Sequence, residues 1–148
     1  NTNNKGNAWW IFNFPFNLIN EPIFVLTCDN ITNINFNLIE KDYIKKGKPD
    51  CFLIPVNPVE KLEGDFIHKE KNTVTKLSRK ARSDIYCSGI QIINPYKINK
   101  IIKKTEDFNK VWKKLISQKK LIVSDIVPDK WFTIDSVKQL KMYKKNSK

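Results

Sequence analysis

Histidine and arginine are both scarce in this sequence. His68 is the single histidine, and Arg79 and Arg82 are the two arginines among 27 basic residues. A single imidazole argues against metal clusters built from several histidines and against Ser-His-Asp catalysis. No apolar run approaches the roughly 20 residues that a membrane span needs, and no short apolar segment follows a basic start. We therefore expect a soluble, cytoplasmic protein.

Glycine is also scarce, and the glycines do not form a familiar phosphate-binding loop. Their positions are Gly6, Gly47, Gly64 and Gly89. None lies in a G-x-G-x-x-G or Walker-type motif, whose backbone amides cradle phosphates in many nucleotide enzymes. These two phosphate-binding designs are therefore absent from the sequence.

Cysteine is limited to three residues, Cys28, Cys51 and Cys87. Their number is odd, they lie far apart, and each falls in an apolar run. This pattern favours buried, reduced thiols over disulfides or a zinc site.

The charge is strongly positive, at +12 with a pI near 9.6. Such a charge is typical of proteins that bind nucleic acid, although those usually rely on the guanidinium fork of arginine. Here lysine supplies almost all of the charge, and abundant Lys, Asn and Ile indicate a compositional bias. A basic, non-catalytic nucleic-acid-binding domain remains an alternative, and it predicts lysines gathered on one surface.

The length and apolar content predict one globular domain spanning residues 1–148. The chain has 148 residues, 41% of them hydrophobic, which is enough to form a core. It begins at Asn1, and Met142 is its single methionine. We therefore expect it to be a piece of a longer protein.

Two apolar runs with a helical pattern between them predict the central part of the fold. Residues 23–28 and 51–56 indicate buried strands, and residues 35–47 indicate a helix that ends at Gly47. Strand, helix and strand in this order predict a parallel crossover, with ligands bound beyond the carboxyl ends of the strands. Asp29 lies at such an end.

The remaining patterns complete a mixed α/β domain. Phe108, Val111, Trp112, Leu115 and Ile116 fall on one helical face. The other expected elements are a bent helix at 8–19, a hairpin at 65–77, a strand at 84–95, a helix after Pro95, strands at 121–127 and 131–134, and a last helix from Ser136 to Tyr143, capped by Asp135 or Ser136. The predicted fold class is a Rossmann-like mixed, mostly parallel sheet flanked by helices.

Five segments, in this order along the chain, resemble motifs of the sugar-phosphate nucleotidyltransferase family. They are KGNAWWIF (5–12), IFVLTCDNI (23–31), GDF (64–66), SGIQIINP (88–95) and WFTIDSVKQL (131–140). Each motif is weak alone, but together they cover nearly the whole chain. The resemblance implies a nucleotide-diphospho-sugar transferase type of fold that lacks its first strand and G-x-G-T-R triphosphate loop. It also implies that these 148 residues alone are inactive.

The resemblance implies an activity and a cofactor. Family members join a nucleoside triphosphate to a sugar 1-phosphate and release pyrophosphate with the help of Mg²⁺. Asp29 matches the aspartate that binds magnesium, although without the resemblance it could equally cap a turn with Asn30. Thr133 stands where the family has a second aspartate. Asp135, two residues later, could reach the same metal or cap the last helix.

The resemblance also implies substrate contacts. Gly6 would lie beside the base, Asn30 beside the nucleotide, and Ser88 and Gly89 beside the sugar. Lys80 matches a family lysine that contacts the sugar phosphate, but Arg79 replaces the preceding glutamate and the following proline is missing. Lys76, Arg79, Lys80 and Arg82 could attract a phosphate or form a solvated edge.

Two further matters stay open. Thr133 also fits a degenerate, regulatory member of the same family. Homo-oligomerisation is compatible with the sequence, and a role in polysaccharide biosynthesis is an expectation from the resemblance alone.

Overall fold

The computed structural model describes residues 4–60 and 62–146. The strands are β1 (Ile23–Val25), β2 (Asn30–Thr32), β3 (Cys51–Val56), β4 (Asp65–Glu70), β5 (Thr73–Ser78), β6 (Tyr86–Ile93), β7 (Leu121–Val123) and β8 (Trp131–Thr133). The α-helices are α1 (Phe36–Lys45), α2 (Pro95–Ile101), α3 (Phe108–Ser117) and α4 (Val137–Asn146). Two short 3-10 segments, Trp9–Phe12 and Phe16–Leu18, replace the single bent helix expected near the start.

Six strands form the main sheet in the order β1-β6-β3-β7-β5-β4, and β2 and β8 form a separate pair. The predicted class, a mixed sheet flanked by helices, is confirmed. Its pairing is mostly antiparallel rather than mostly parallel, with β3 and β7 as the parallel pair among the described strands.

The strand β6 explains this difference in pairing. It lies between β1 and β3 and is antiparallel to both, so β1 and β3 run in the same direction without touching. The crossover through α1 therefore connects strands of equal direction, as the sequence pattern predicts. Local hydrophobic runs carry no information about which strand will lie between two others.

The sheet is packed on both faces. Along β3 the side chains alternate, with Cys51 and Leu53 in one hydrophobic cluster and Phe52 and Ile54 in the other. The first cluster lies under α2, α3 and the 3-10 segments, and the second lies under α1. A continuous apolar run is therefore what a strand covered by helices on both faces requires.

The three cysteines do not share one environment. Cys51 is fully buried, Cys87 is partly buried, and Cys28 is exposed, which corrects the expectation of three buried thiols. Burial raises the pKa of Cys87 to about 12 and raises that of Cys51 as well. None of the helices in the described part of the chain is both long enough and apolar enough to cross a membrane.

A buried carboxylate ties α1 to the end of β7. Asp42 is 8% exposed, and its Oδ2 accepts hydrogen bonds from the Ser124 hydroxyl at 2.6 Å and from the Asp125 amide at 2.9 Å. The Ser124 side chain is also buried. Buried donors that lose their acceptor carry the full cost of desolvation, so this contact fixes α1 against the sheet.

We expect Asp42→Ala to lower the free energy of unfolding by about 1–3 kcal/mol, because Ser124 and the Asp125 amide lose their acceptor. Urea denaturation measures the change. Glu40→Ala removes an exposed carboxylate from the same helix and should stay within about 0.5 kcal/mol of the parent. Equal effects of the two substitutions would contradict the structural role of Asp42.

Candidate metal and substrate site

The pairing of β2 with β8 positions the candidate site. Asn30 lies opposite Thr133, and the carbonyl oxygen of Asp29 accepts a hydrogen bond from the Ile134 amide at 3.0 Å. Asp29 thus directly precedes β2, four residues after the end of β1, and its backbone is held by the segment that follows β8. Residues about a hundred positions apart in the chain therefore meet at one place.

A single hydroxyl lies between two carboxylates at this place. Thr133 Oγ1 donates to Asp29 Oδ2 at 2.9 Å, and it also lies 3.5 Å from Asp135 Oδ2. Asp29 is partly buried and Asp135 is exposed. We call Asp29, Thr133 and Asp135 the carboxylate cluster.

The other oxygen of Asp29 faces Asn30. The Asn30 side-chain amide lies 3.4 Å from Asp29 Oδ1 and also donates to Thr27. The indole N–H of Trp131 donates to Asn30 Oδ1, which turns the amide nitrogen toward Asp29. Asn30 consequently offers a donor to this carboxylate, while its carbonyl oxygen is occupied by Trp131.

The start of α4 determines which role is open to Asp135. The Ser136 hydroxyl accepts a hydrogen bond from the backbone N–H of Gln139 at 3.3 Å, as the capping residue of a helix does. The Gln139 side chain returns to accept from the Asp135 amide at 2.6 Å. Ser136 is therefore the cap, and the Asp135 carboxylate remains beside Thr133.

These contacts change the acidity of Asp29. Partial burial alone would raise the pKa of its carboxyl. Hydrogen bonds with Thr27, Thr133, its own backbone and Asp135 outweigh this effect and lower the pKa below its ordinary value. The carboxylate form of Asp29 is therefore favoured in the folded protein. Its stabilising contribution is present above the unfolded pKa and is lost as the pH falls through the folded pKa.

We expect Thr133→Val to raise the pKa of Asp29, because a hydrogen bond to the charged form is removed. Carbon-13 NMR titration of the Asp29 carboxyl measures the shift. Thr133→Ser keeps the hydroxyl and should keep the low pKa. An unchanged pKa in the valine variant would show that the other donors are sufficient.

The donor set of the cluster fits a hard divalent cation. Mg²⁺ is commonly bound by one or two carboxylates, with phosphate and water oxygens completing its coordination. Asp29 and Asp135 supply two carboxylates that share one hydroxyl neighbour. Within residues 4–60 and 62–146, no group of three or more His, Cys, Asp and Glu residues could hold a metal ion alone. A cation at the cluster would therefore need further oxygens from outside the cluster, such as those of water or phosphate.

Asp125, two residues after the end of β7, belongs to a different cluster. Its carboxylate lies 2.5 Å from Lys46 Nζ and 3.6 Å from Lys69 Nζ, and the Asn72 side chain donates to it at 2.6 Å. The hydrogen bonds from Lys46 and Asn72 lower the pKa of Asp125. Because lysines already neutralise this carboxylate, it is poorly suited to bind a cation.

Ser88 and Gly89 lie at a bulge in β6. Cys87 pairs with Pro55 and Gln91 pairs with Leu53, which leaves the residues between them opposite Ile54 alone. Gly89 has a φ of +81°, and a Cβ added there would meet nothing within 4 Å. The sequence prediction of a close approach at Gly89 stays a prediction, and the open space at this position is compatible with it.

The Ser88 hydroxyl is already engaged. It donates to the Ile54 carbonyl at 3.1 Å and accepts from the Ile90 amide at 3.2 Å. A ligand at the bulge would therefore meet backbone more readily than this hydroxyl. No hydrogen bond among the described residues joins Ser88 to the carboxylate cluster.

Gly6 has a packing reason to be glycine. A Cβ at this position would lie 2.1 Å from the carbonyl oxygen of Glu106. The Ala8 amide donates to the same oxygen at 3.1 Å, and Lys5 forms an ion pair with the Glu106 carboxylate at 3.0 Å. The predicted position of Gly6 beside a nucleotide base is not tested by these contacts.

We expect Gly6→Ala to lower the free energy of unfolding by about 1–3 kcal/mol, because backbone must move to admit the methyl group. Gly64→Ala is the matched comparison, since its Cβ would lie 3.1–3.4 Å from ring atoms of Tyr86, a smaller overlap than at Gly6. It should cost less in the same urea titration. A Gly6→Ala variant as stable as the parent would contradict the close approach.

Lys80 lines a cleft of about 950 Å³ together with Arg79 and Arg82. A second cleft, of about 680 Å³, is lined by residues that include Thr32 and Trp131 of the paired strands β2 and β8. Pro58 and Val59 belong to both clefts, so the two adjoin. The carboxylate cluster itself lines neither of them.

Two contributions to the site were not anticipated from the sequence. The sequence does not indicate which strand pairs with the one expected at 131–134. Its partner β2 follows directly after Asp29 and, at three residues, is too short to be recognised from its pattern. The Trp131 contact with Asn30 could not be predicted, because an aromatic residue in an apolar run indicates packing in the core, and Trp131 is partly packed there as well. The alternation that places Thr133 and Asp135 on one face was the signal that could identify the cluster.

Several solved structures resemble this fold. A protein described as a glucose-1-phosphate thymidylyltransferase from Bacillus anthracis matches with a TM-score of 0.72 and 10% identity over 97% of this chain. The inositol-1-phosphate CTP transferase from T. maritima matches with a TM-score of 0.72 and 18% identity over 99%. A UDP-glucose pyrophosphorylase matches with a TM-score of 0.66 and 18% identity over 96%.

These similarities define the fold class, the one found in nucleotidyltransferases that act on sugar phosphates. At 10–18% identity they do not define an activity for this chain. The chain spans 61–63% of the length of these three proteins. No protein-family profile matches the sequence, and no curated protein sequence matches it.

Proposed function

We propose that this chain is part of a metal-dependent nucleotidyltransferase. The reaction transfers a nucleoside monophosphate from a nucleoside triphosphate to a sugar 1-phosphate and releases pyrophosphate. The observation that carries the proposal is the carboxylate cluster, in which Asp29 and Asp135 meet around Thr133 Oγ1. The similarity in fold to proteins named for this chemistry supports it.

The chemistry explains why such a cluster is useful. A phosphate oxygen of the acceptor attacks the α-phosphorus in line, so the protein mainly positions two anions and offsets the charge between them. Mg²⁺, when bound, supplies positive charge to the phosphate oxygens. Asp29 and Asp135 would hold this ion, and phosphate and water oxygens would complete its coordination.

The neighbouring residues orient the ligands. Thr133 fixes one oxygen of Asp29, and Trp131 fixes the Asn30 amide beside the other. Because donors already hold both oxygens, the carboxylate is set in place before a cation arrives. The open backbone at Gly89 and the side chain of Lys80 are the proposed contacts on the acceptor side, and Gly6 is the proposed neighbour of the base.

We expect Asp29→Asn to lower the rate of pyrophosphate release roughly 100-fold or more, because a metal ligand is lost. The assay uses the protein encoded by the complete gene, a nucleoside triphosphate, a sugar 1-phosphate and Mg²⁺. Asp135→Asn should lower the rate by about tenfold, since its carboxylate is more exposed.

Asp125→Asn is the matched control, because it makes the same change at a carboxylate that two lysines neutralise. It should leave the rate close to that of the parent. If Asp29→Asn and the parent release pyrophosphate equally fast, Asp29 does not hold a catalytic metal.

A regulatory, non-catalytic member of the same fold is the second candidate. Thr133 favours it, because a neutral hydroxyl occupies the position beside Asp29 where the family resemblance places a second carboxylate. This candidate predicts nucleotide or sugar-phosphate binding by the complete gene product with no pyrophosphate release under any metal. The activity assay of the parent protein therefore separates the two.

A further inference from the structure

The positions of the two arginines in the fold single out one cleft. Among 27 basic residues the chain has two arginines, and both line the cleft of about 950 Å³. Lys80 lies between them in sequence and lines the same cleft. We call this the arginine cleft. Guanidinium groups bind carboxylates and phosphates through paired donors, which lysine cannot do.

The arginines keep donors available for a ligand. Arg79 has one ion pair, from its Nε to Asp65 at 3.5 Å, and its side chain is 71% exposed. A guanidinium has five N–H donors, so a single long contact leaves others free. Among the described residues, no ion pair involves Arg82 or Lys80.

The loop that carries these side chains is fixed. The Ser78 hydroxyl accepts from the amides of Lys80 at 3.3 Å and Ala81 at 3.0 Å. The Ser83 hydroxyl donates to the carbonyl oxygen of Ile67 at 2.7 Å, where β4 passes beneath. The basic side chains therefore project from an ordered turn, which lowers the cost of holding a ligand.

The remainder of the cleft is suited to a hydroxylated ring. Phe66 and Tyr86 form an edge-to-face pair with ring centroids 4.5 Å apart, and both line the cleft. Glu63 also lines it. Carboxylates accept hydrogen bonds from hydroxyl groups, whereas they repel a bare anion. Acidic and basic groups in one cleft thus favour a ligand that has hydroxyls and a separate anionic group.

We propose that the arginine cleft binds the acceptor sugar through a second oxyanion, a carboxylate or a phosphate, in addition to the phosphate that reacts. The reacting phosphate must lie near the carboxylate cluster, which does not line this cleft. The adjoining cleft shares Pro58 and Val59 with the arginine cleft and is also lined by Thr32 and Trp131 of the strand pair that carries the cluster. The proposal rests on the proposed function, because it concerns the acceptor of that reaction.

The test is an NMR titration of the protein encoded by the complete gene, without metal or nucleotide, that follows signals of Tyr86 and Ser83. The probes are glucose, glucuronate, glucose 6-phosphate and inorganic phosphate. We expect glucuronate, glucose 6-phosphate or both to bind at least about tenfold more tightly than glucose and than inorganic phosphate. The preferred probe identifies the oxyanion as carboxylate or phosphate.

Variants locate the binding. Arg79→Gln and Arg82→Gln should each weaken binding of the preferred probe by about tenfold. Arg79→Lys and Arg82→Lys should weaken it less, because the positive charge remains although the paired donors of the guanidinium are lost. Lys113→Gln removes a positive charge from the exposed side of α3, outside the cleft, and should have no effect.

Three results would overturn the proposal. The first is equal affinity for glucose and for the anionic sugars. The second is an affinity for inorganic phosphate that equals or exceeds the affinity for the anionic sugars. The third is binding that is absent in the parent or unchanged in the arginine variants. Because neither metal nor Asp29 takes part in this titration, its failure is distinct from failure of the pyrophosphate assay. Unaltered binding by Asp29→Asn confirms that separation.

Discussion

The short pairing of β2 with β8 is the constraint on which the candidate site depends. Without it, Asp29 would lie four residues beyond the edge strand β1, apart from Thr133 and Asp135. The backbone bond from Ile134 to Asp29 sets the register, and Thr133 and Asp135 follow from it. Two strands of three residues are weak on their own. Packing of Trp131 against the core and its bond to Asn30 supply the additional anchoring.

Much of the fold could be predicted because its signals are local. The apolar run of β3, the apolar stripe of α3 and the proline at the start of α2 each specify an element within a few residues. Strand order could not be predicted in the same way. The insertion of β6 between β1 and β3 depends on contacts across the chain, and hydrophobic runs look alike whichever neighbour they meet.

The candidate site likewise combines residues that local sequence patterns predict with contacts that they do not predict. Asp29 could be identified from its place after a buried run, and Asp135 from its alternation with Thr133. The sequence left the cap of α4 open between Asp135 and Ser136, and only the contacts of Gln139 decide it. At Gly6, the close approach to Glu106 explains why a side chain would not fit, and the predicted position beside the base stays a prediction.

Paramagnetic line broadening by Mn²⁺ tests whether a divalent cation binds at the carboxylate cluster. In NMR spectra of the protein, substoichiometric Mn²⁺ should first broaden the amide signals of Asn30, Ile134 and Asp135. Added nucleoside triphosphate should increase the difference in broadening between these signals and the others. Broadening centred on Asp125, or spread evenly over the acidic residues, would contradict the account.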